Sequence, residues 1–151
     1  MENILKSIAI KIRENTLKRA NKILGTNYDD WMSVSAHKFL TEDFIREFAD
    51  EVKWGYISTN QHLSEEFIRE FADEVDWVGI SLCQRLSEDF IREFKDEVGW
   101  YCVSKYQQLS EDFIREFKDS VHWNAISCYQ RLSEDFIREF KDKVDWYNIS
   151  T

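Results

Sequence analysis

Proline does not occur in this chain of 151 residues, and glycine occurs only at positions 25, 55, 79 and 99. So few turn-forming positions argue against a sandwich or barrel and for helices. No apolar run reaches membrane-spanning length, and no basic, apolar and small-residue sequence of a secretory signal opens the chain, so neither a membrane span nor export is expected. Cysteine is limited to Cys83, Cys102 and Cys128, an odd number that falls at three different places of the repeat described below. A disulfide framework or a metal site needs matched spacing, so these read as free thiols in a reducing, cytoplasmic compartment. His37, His62 and His122 are scattered, without an His-x-x-x-His or His-Glu arrangement, and no glycine-rich phosphate loop exists. No catalytic constellation, cofactor or metal is therefore expected, and the chain reads as a non-enzyme.

Against these absences stand 43% hydrophobic and 15% aromatic residues, enough for a continuous core. The motif Leu-Ser-Glu-Asp/Glu-Phe-Ile-Arg-Glu-Phe starts at Leu63, Leu86, Leu109 and Leu132, 23 residues apart, with a Thr-for-Ser copy at Leu40. A fixed period of this size marks a repeat array. In the copy from Leu63, Ser64 is placed as a helix N-cap, with Glu65 and Glu66 in the first turn where the helix dipole favours carboxylates. Phe67, Ile68, Phe71 and Val75 share one helical face, which predicts a helix A of roughly 10 to 12 residues. Glu65, Arg69 and Asp73 form a ladder of alternating charge opposite. Trp77, Ile80, Ser81 and Gln84 then suit a short helix B capped by Asp76. A strand is the alternative for that segment, because Trp, Tyr and Ile also form strands. A hairpin of this size cannot satisfy its apolar face alone, so consecutive hairpins must stack.

The expected architecture is an all-α solenoid: a basic amphipathic N-terminal cap helix in residues 1–25, a degenerate half repeat in 26–39, and five repeats in 40–151, the last truncated. Glu2 to Leu24 reads as one helix stopped by Gly25, with Lys6, Lys11, Arg13, Lys18, Arg19 and Lys22 against Glu2 and Glu14. Contact with a membrane surface or nucleic acid is the other reading of such a helix. At the far end no polar capping repeat follows Ile149 and Ser150, so Phe136, Phe140, Trp146 and Tyr147 are candidates for self-association, most simply as a homodimer.

The net charge of −9 is unevenly spread. Residues 1–38 hold seven Lys/Arg and four Asp/Glu, while 39–151 hold thirteen and twenty-five. In a solenoid, equivalent positions recur about 8–10 Å apart. Glu65, Glu88, Glu111 and Glu134 are thereby expected to form one acidic row, and Glu70, Glu93, Glu116 and Glu139 another. Such rows repel nucleic acid and attract basic protein surfaces, so direct nucleic-acid binding by the repeats is not expected. Arg69, Arg92, Arg115 and Arg138 run parallel to them and dilute that field.

Helix A is nearly invariant between copies, and helix B carries the differences. Lys53, Asp76, Gly99, His122 and Asp145 share one slot, and Gly55, Val78, Tyr101, Asn124 and Tyr147 another. Asn60, Cys83, Tyr106 and Tyr129 share a third. A fixed framework with a variable strip is how repeat proteins present a ligand surface. Lys53, Tyr56, Asp76, Val78, Tyr101, Lys105, His122 and Asn124 are the candidate partner-binding positions; drift of exposed positions after duplication is the competing reading. The recurring Ser58, Ser81, Ser104, Ser127 and Ser150 suit hydrogen bonds to the preceding helical turn, and the recurring tryptophans suit the core.

The pattern Trp-x-x-Ile-Ser-x-Asn-x-x-Leu-Ser, from Trp54 to Ser64, and the fuller unit Leu132 to Ser150 resemble tandem repeats in proteins of giant DNA viruses, some phages and some AT-rich bacteria. The resemblance spans residues 30–151 and leaves the N-terminal helix outside. It implies a stacked-repeat fold and a viral source, with the host cytoplasm as location, but no shared activity or functional residues. The expected role is a scaffold for protein–protein interaction. The alternatives are an inhibitor whose acidic rows occupy a basic, nucleic-acid-binding host defence enzyme, and a self-assembling structural protein.

Overall fold

A computed structural model describes residues 2–149, with the side chains of Glu2 and Asn3 left undescribed; Ser150 lies outside the described residues. Among those residues the chain is all-helical, without strands. Helix B is therefore a helix, and the strand alternative is excluded. The chain divides into two compact units, Met1–Val75 and Asp76–Thr151. Each is a stack of short helical hairpins, the α-solenoid arrangement.

The first unit comprises α1 (Glu2–Leu24), α2 (Trp31–Ser35), α3 (Glu42–Glu47), α4 (Trp54–Asn60) and α5 (Glu65–Glu70). Helix α1 ends where Gly25 adopts a positive φ of 67°, a conformation that costs glycine little. Only its C-terminal half covers the hairpins: Ala20 is buried, and Leu17 and Leu24 pack against the core around Val34, Phe44 and Ile57. The first three turns leave Ile4, Leu5, Ile8 and Ile12 exposed, so the cap is shorter than the helix. Arg19 pairs with Glu47, and Arg13 with Glu51 at 3.3 Å.

The second unit comprises α6 (Trp77–Cys83), α7 (Glu88–Glu93), α8 (Trp100–Tyr106), α9 (Glu111–Glu116), α10 (Trp123–Tyr129), α11 (Glu134–Glu139) and α12 (Trp146–Ile149). Helices α6, α8, α10 and α12 pack in sequence as one layer. Beneath them Phe90, Ile91, Phe113, Ile114 and Phe136 are fully buried. In each hairpin a tryptophan meets two phenylalanines; Trp100 lies 6.3 Å from Phe113 and 5.0 Å from Phe117, ring centre to centre. Spacings of this kind add to the area term.

Helix A is shorter than its periodicity predicts. The α-helical part covers six residues, and Phe71, Phe94, Phe117 and Phe140 follow at its end with φ near −110°. Tight turns then bring Val75, Val98, Val121 and Val144 into the core. The apolar stripe is real, but its last member arrives by a turn instead of a continued helix. The N-caps are as expected: the hydroxyls of Ser64, Ser87, Ser110 and Ser133 accept from the N–H three residues on.

Candidate binding surface on the second helices of the repeats

The residues that recur unchanged in helix B have structural partners. Ser104 Oγ donates to the Trp100 carbonyl at 2.7 Å, the back-bond expected from its position. The same oxygen accepts the His122 N–H at 2.8 Å, tying one hairpin to the next. Ser35, Ser81 and Ser127 do likewise for the backbone N–H of Lys53, Gly99 and Asp145. Gln107, buried at the end of α8, bridges repeats through its amide: Oε1 accepts from Leu86 N–H at 3.0 Å, while Nε2 donates to the carbonyls of Ser81 and Gln84. Gln61 and Gln130 repeat that arrangement. The indole N–H of Trp100, Trp123 and Trp146 donates to the carbonyl five residues upstream. Trp31 Nε1 is buried without a hydrogen-bond partner, because the segment before it is the α1–α2 connection and not a helix A.

What remains on the outer side of this layer is the variable set. Tyr101, Tyr106 and Tyr129 are each about half exposed, at 50, 49 and 55%. Lys105 Nζ sits over all three rings, 5.8 Å from the centre of Tyr101, 4.9 Å from Tyr106 and 5.0 Å from Tyr129. That geometry suits a cation held by ring quadrupoles. The phenol of Tyr106, with those of Tyr101 and Tyr129, raises the ammonium above the ordinary lysine range. His122 meets Tyr101 edge to face at 5.1 Å. The second unit thus gathers three predicted positions, Tyr101, Lys105 and His122, and adds Tyr106 and Tyr129. Those two belong to a variable slot visible in the sequence; the signal that would have selected them is tyrosine in two consecutive copies of the slot that follows Lys105.

The other predicted positions fall differently. Val78 is exposed on α6, and Asp76 caps that helix by accepting from Val78 N–H. Asn124 Nδ2 donates to Asp145 Oδ2 at 2.7 Å, so it serves the start of α12. Lys53 and Tyr56 lie on the first unit, where Lys53 borders a groove of about 300 Å³ between Ile10, Leu17 and Trp31. Phe136 corrects the expectation for the last repeat: it is fully buried beneath Trp123 and Phe140, because the aromatic triad is complete without a further hairpin. Phe140 is partly buried, whereas Trp146 and Tyr147 are 54 and 83% exposed.

The carboxylate rows are largely engaged within the chain. Glu88 and Glu111 accept the N–H of Ser110 and Ser133 at 2.6 Å. The Ser133 N–H is the main cause holding the Glu111 carboxyl below its usual range. Arg92 bonds Glu116 and Asp89 at 2.8 and 2.9 Å, with Glu88 at 3.7 Å, and its guanidinium lies over the Phe113 ring. Arg115 does the same with Glu139, Asp112, Glu111 and Phe136. In the first unit Arg46 bonds Glu70, and Glu65 lies 3.9 Å from Arg69. Glu134 pairs with Arg138 at the exposed end of the row, and Glu93 is exposed.

All three cysteines are free thiols. Among the described residues no three His, Cys, Asp or Glu side chains are grouped to hold a metal ion, and no helix is long and apolar enough to cross a membrane. Neither a family model, nor a curated protein, nor a solved structure matches this chain.

Proposed function

We propose that the chain is a non-enzymatic, protein-binding repeat scaffold whose ligand surface is the exposed side of the helix-B layer in the second unit. One observation carries this reading. The residues repeated in helix B are consumed by hydrogen bonds and packing, while the residues that vary and stay exposed include three tyrosines around one lysine. Tyrosine is enriched in the centres of protein interfaces, where its rigid ring buries area at small entropic cost. Exposed aromatic clusters are unusual on an isolated surface.

The alternative role as an acidic inhibitor of a basic enzyme has less support, because Glu88, Glu111, Glu116 and Glu139 already hold backbone N–H groups or arginines. A basic partner would have to displace those bonds.

The experiment is site-specific photo-crosslinking in the full chain, with the photoreactive side chain at position 101 or, on helix A, at position 112. In a cell lysate, defined protein adducts from position 101 are expected. Adducts from position 112 alone, or from neither, would refute the helix-B surface.

A further inference from the structure

The helix-B layer differs from the rest of the second unit in charge. Residues 76–151 hold ten Lys/Arg and fifteen Asp/Glu. Yet within α6, α8, α10 and α12 the only Lys, Arg, Asp or Glu is Lys105. The carboxylates that start α6 and α12 are turned to backbone and amide donors: Asp76 accepts from Val78 N–H, and Asp145 from Tyr147 N–H and two asparagines. A partner approaching this face therefore meets aromatic rings and one ammonium group.

We propose that the cluster of Tyr101, Lys105, Tyr106 and Tyr129 binds a short acidic protein segment, which sets one carboxylate on Lys105 and lays an aromatic or aliphatic side chain across the tyrosine rings. This rests on the protein-binding reading above and names the chemistry of its partner. The three rings fix the ammonium in place, so less side-chain entropy is lost when a carboxylate arrives. The rings then form the apolar rim that keeps water from the charge-assisted hydrogen bond. A basic segment is rejected by Lys105 itself. A nucleic-acid strand fits less well. Its affinity comes from several phosphates neutralised together, whereas this face offers one cation and the surrounding unit is acidic.

The test pans a random-peptide phage library against the full chain and against Lys105→Glu, then measures the enriched peptides as synthetic ligands. The wild type should select Asp or Glu beside aromatic or aliphatic residues. Affinity should fall about tenfold or more in Lys105→Gln and in Tyr129→Ala, and be largely kept in Tyr129→Phe. Lys105→Glu should select Lys or Arg instead. These side chains are on the surface, and the melting curve verifies that each variant folds. Enriched peptides without acidic residues, or with equal affinity for the Lys105 variants, would overturn the proposal. So would binding of a labelled oligothymidylate that is lost in Tyr129→Ala, or dimerisation of the chain that Lys105→Glu abolishes. Peptides that map to another surface sink this site and leave the protein-binding function standing. A library that yields no ligand at all sinks both.

Discussion

Gln107→Met is the substitution that most directly tests how the repeats are joined. Methionine is close to glutamine in volume, so the cavity term is small, and what disappears is the amide. Three bonds go with it: the acceptor for Leu86 N–H at 3.0 Å, and the donors to Ser81 O at 3.0 Å and Gln84 O at 2.8 Å. The site is buried, with Gln107 only 4% exposed, so water does not readily replace them. A buried polar group left unpaired costs about 1–3 kcal/mol. Three such groups sharing one side chain are not additive, and a loss of about 3–5 kcal/mol is expected. For a chain of this size that corresponds to a melting temperature lower by about 8–15 °C. Urea unfolding followed by tryptophan fluorescence measures the free energy, and far-UV circular dichroism the melting point. A shift within about 3 °C of the parent would refute the reasoning, since by the same scaling it leaves about 1 kcal/mol for all three bonds. Gln107→Glu adds a signed control. Its carboxylate can accept from Leu86 N–H but faces two carbonyls, so burial raises its folded pKa above the unfolded value. The resulting penalty is absent below the unfolded pKa and grows as pH rises through the interval to the folded one. The variant should recover part of its stability in acid, which Gln107→Met should not.

Further expectations follow from the same contacts. Ser104→Ala removes both the back-bond to Trp100 and the acceptor for His122 N–H, and should cost about 1–3 kcal/mol by urea unfolding. Phe113→Ala empties a fully buried site in the centre of the second unit and should cost about 3–5 kcal/mol. Glu111 has a folded pKa lowered by the Ser133 N–H, so its contribution is present above the unfolded value of about 4.3 and is lost as pH falls through the folded one; Glu111→Gln should flatten the acid side of the stability profile. Arg92→Met keeps an aliphatic stem over Phe113 while deleting the charge, so any stability difference from the parent should shrink as salt is added, measured by melting in a sodium chloride series.

How much was legible in the sequence depended on whether a residue acts within its own helix. Serine at the start of helix A announces itself by its spacing to Phe67 or Phe90, and the cap hydrogen bond is where that spacing puts it. The back-bond of Ser104 is likewise local. The second partner of that serine, the His122 N–H, lies 18 residues away, and the partners of Gln107 lie 21 to 26 residues away. A repeat of 23 residues makes such distances into neighbours, but the pattern alone does not say which of many polar groups meet. The length of helix A failed for a related reason. Val75 and Val98 keep helical spacing from the preceding phenylalanine while the backbone between them turns, and periodicity cannot distinguish the two. Phe136 departs from the exposed end that the sequence suggests, because its burial depends on Trp123 of the preceding helix and Phe140 at the end of its own, not on a further repeat.

The hydrogen bonds that join the hairpins also explain why helix B is free to vary. The slot that begins it is read through its backbone: Ser35, Ser81, Ser104 and Ser127 accept the N–H of Lys53, Gly99, His122 and Asp145 alike. Lysine, glycine, histidine and aspartate are therefore all compatible with the fold at that position, with aspartate adding a side-chain cap. The slot of Gly79 and Ala125 is more enclosed, since both residues are buried, although in the first unit the same slot carries the exposed Tyr56. Tolerance of this kind permits drift, but drift among exposed positions favours no residue type. Tyrosine at 101, 106 and 129 converges from two adjacent helices on a single ammonium group, whereas the corresponding residues of α6 are Val78 and Cys83. The fold needs neither the rings nor the charge, since α6 and α8 build the same hairpin without sharing them. A cluster that the hairpin fold does not require, on helices that hold no carboxylate, is what supports the proposed contact outside the chain.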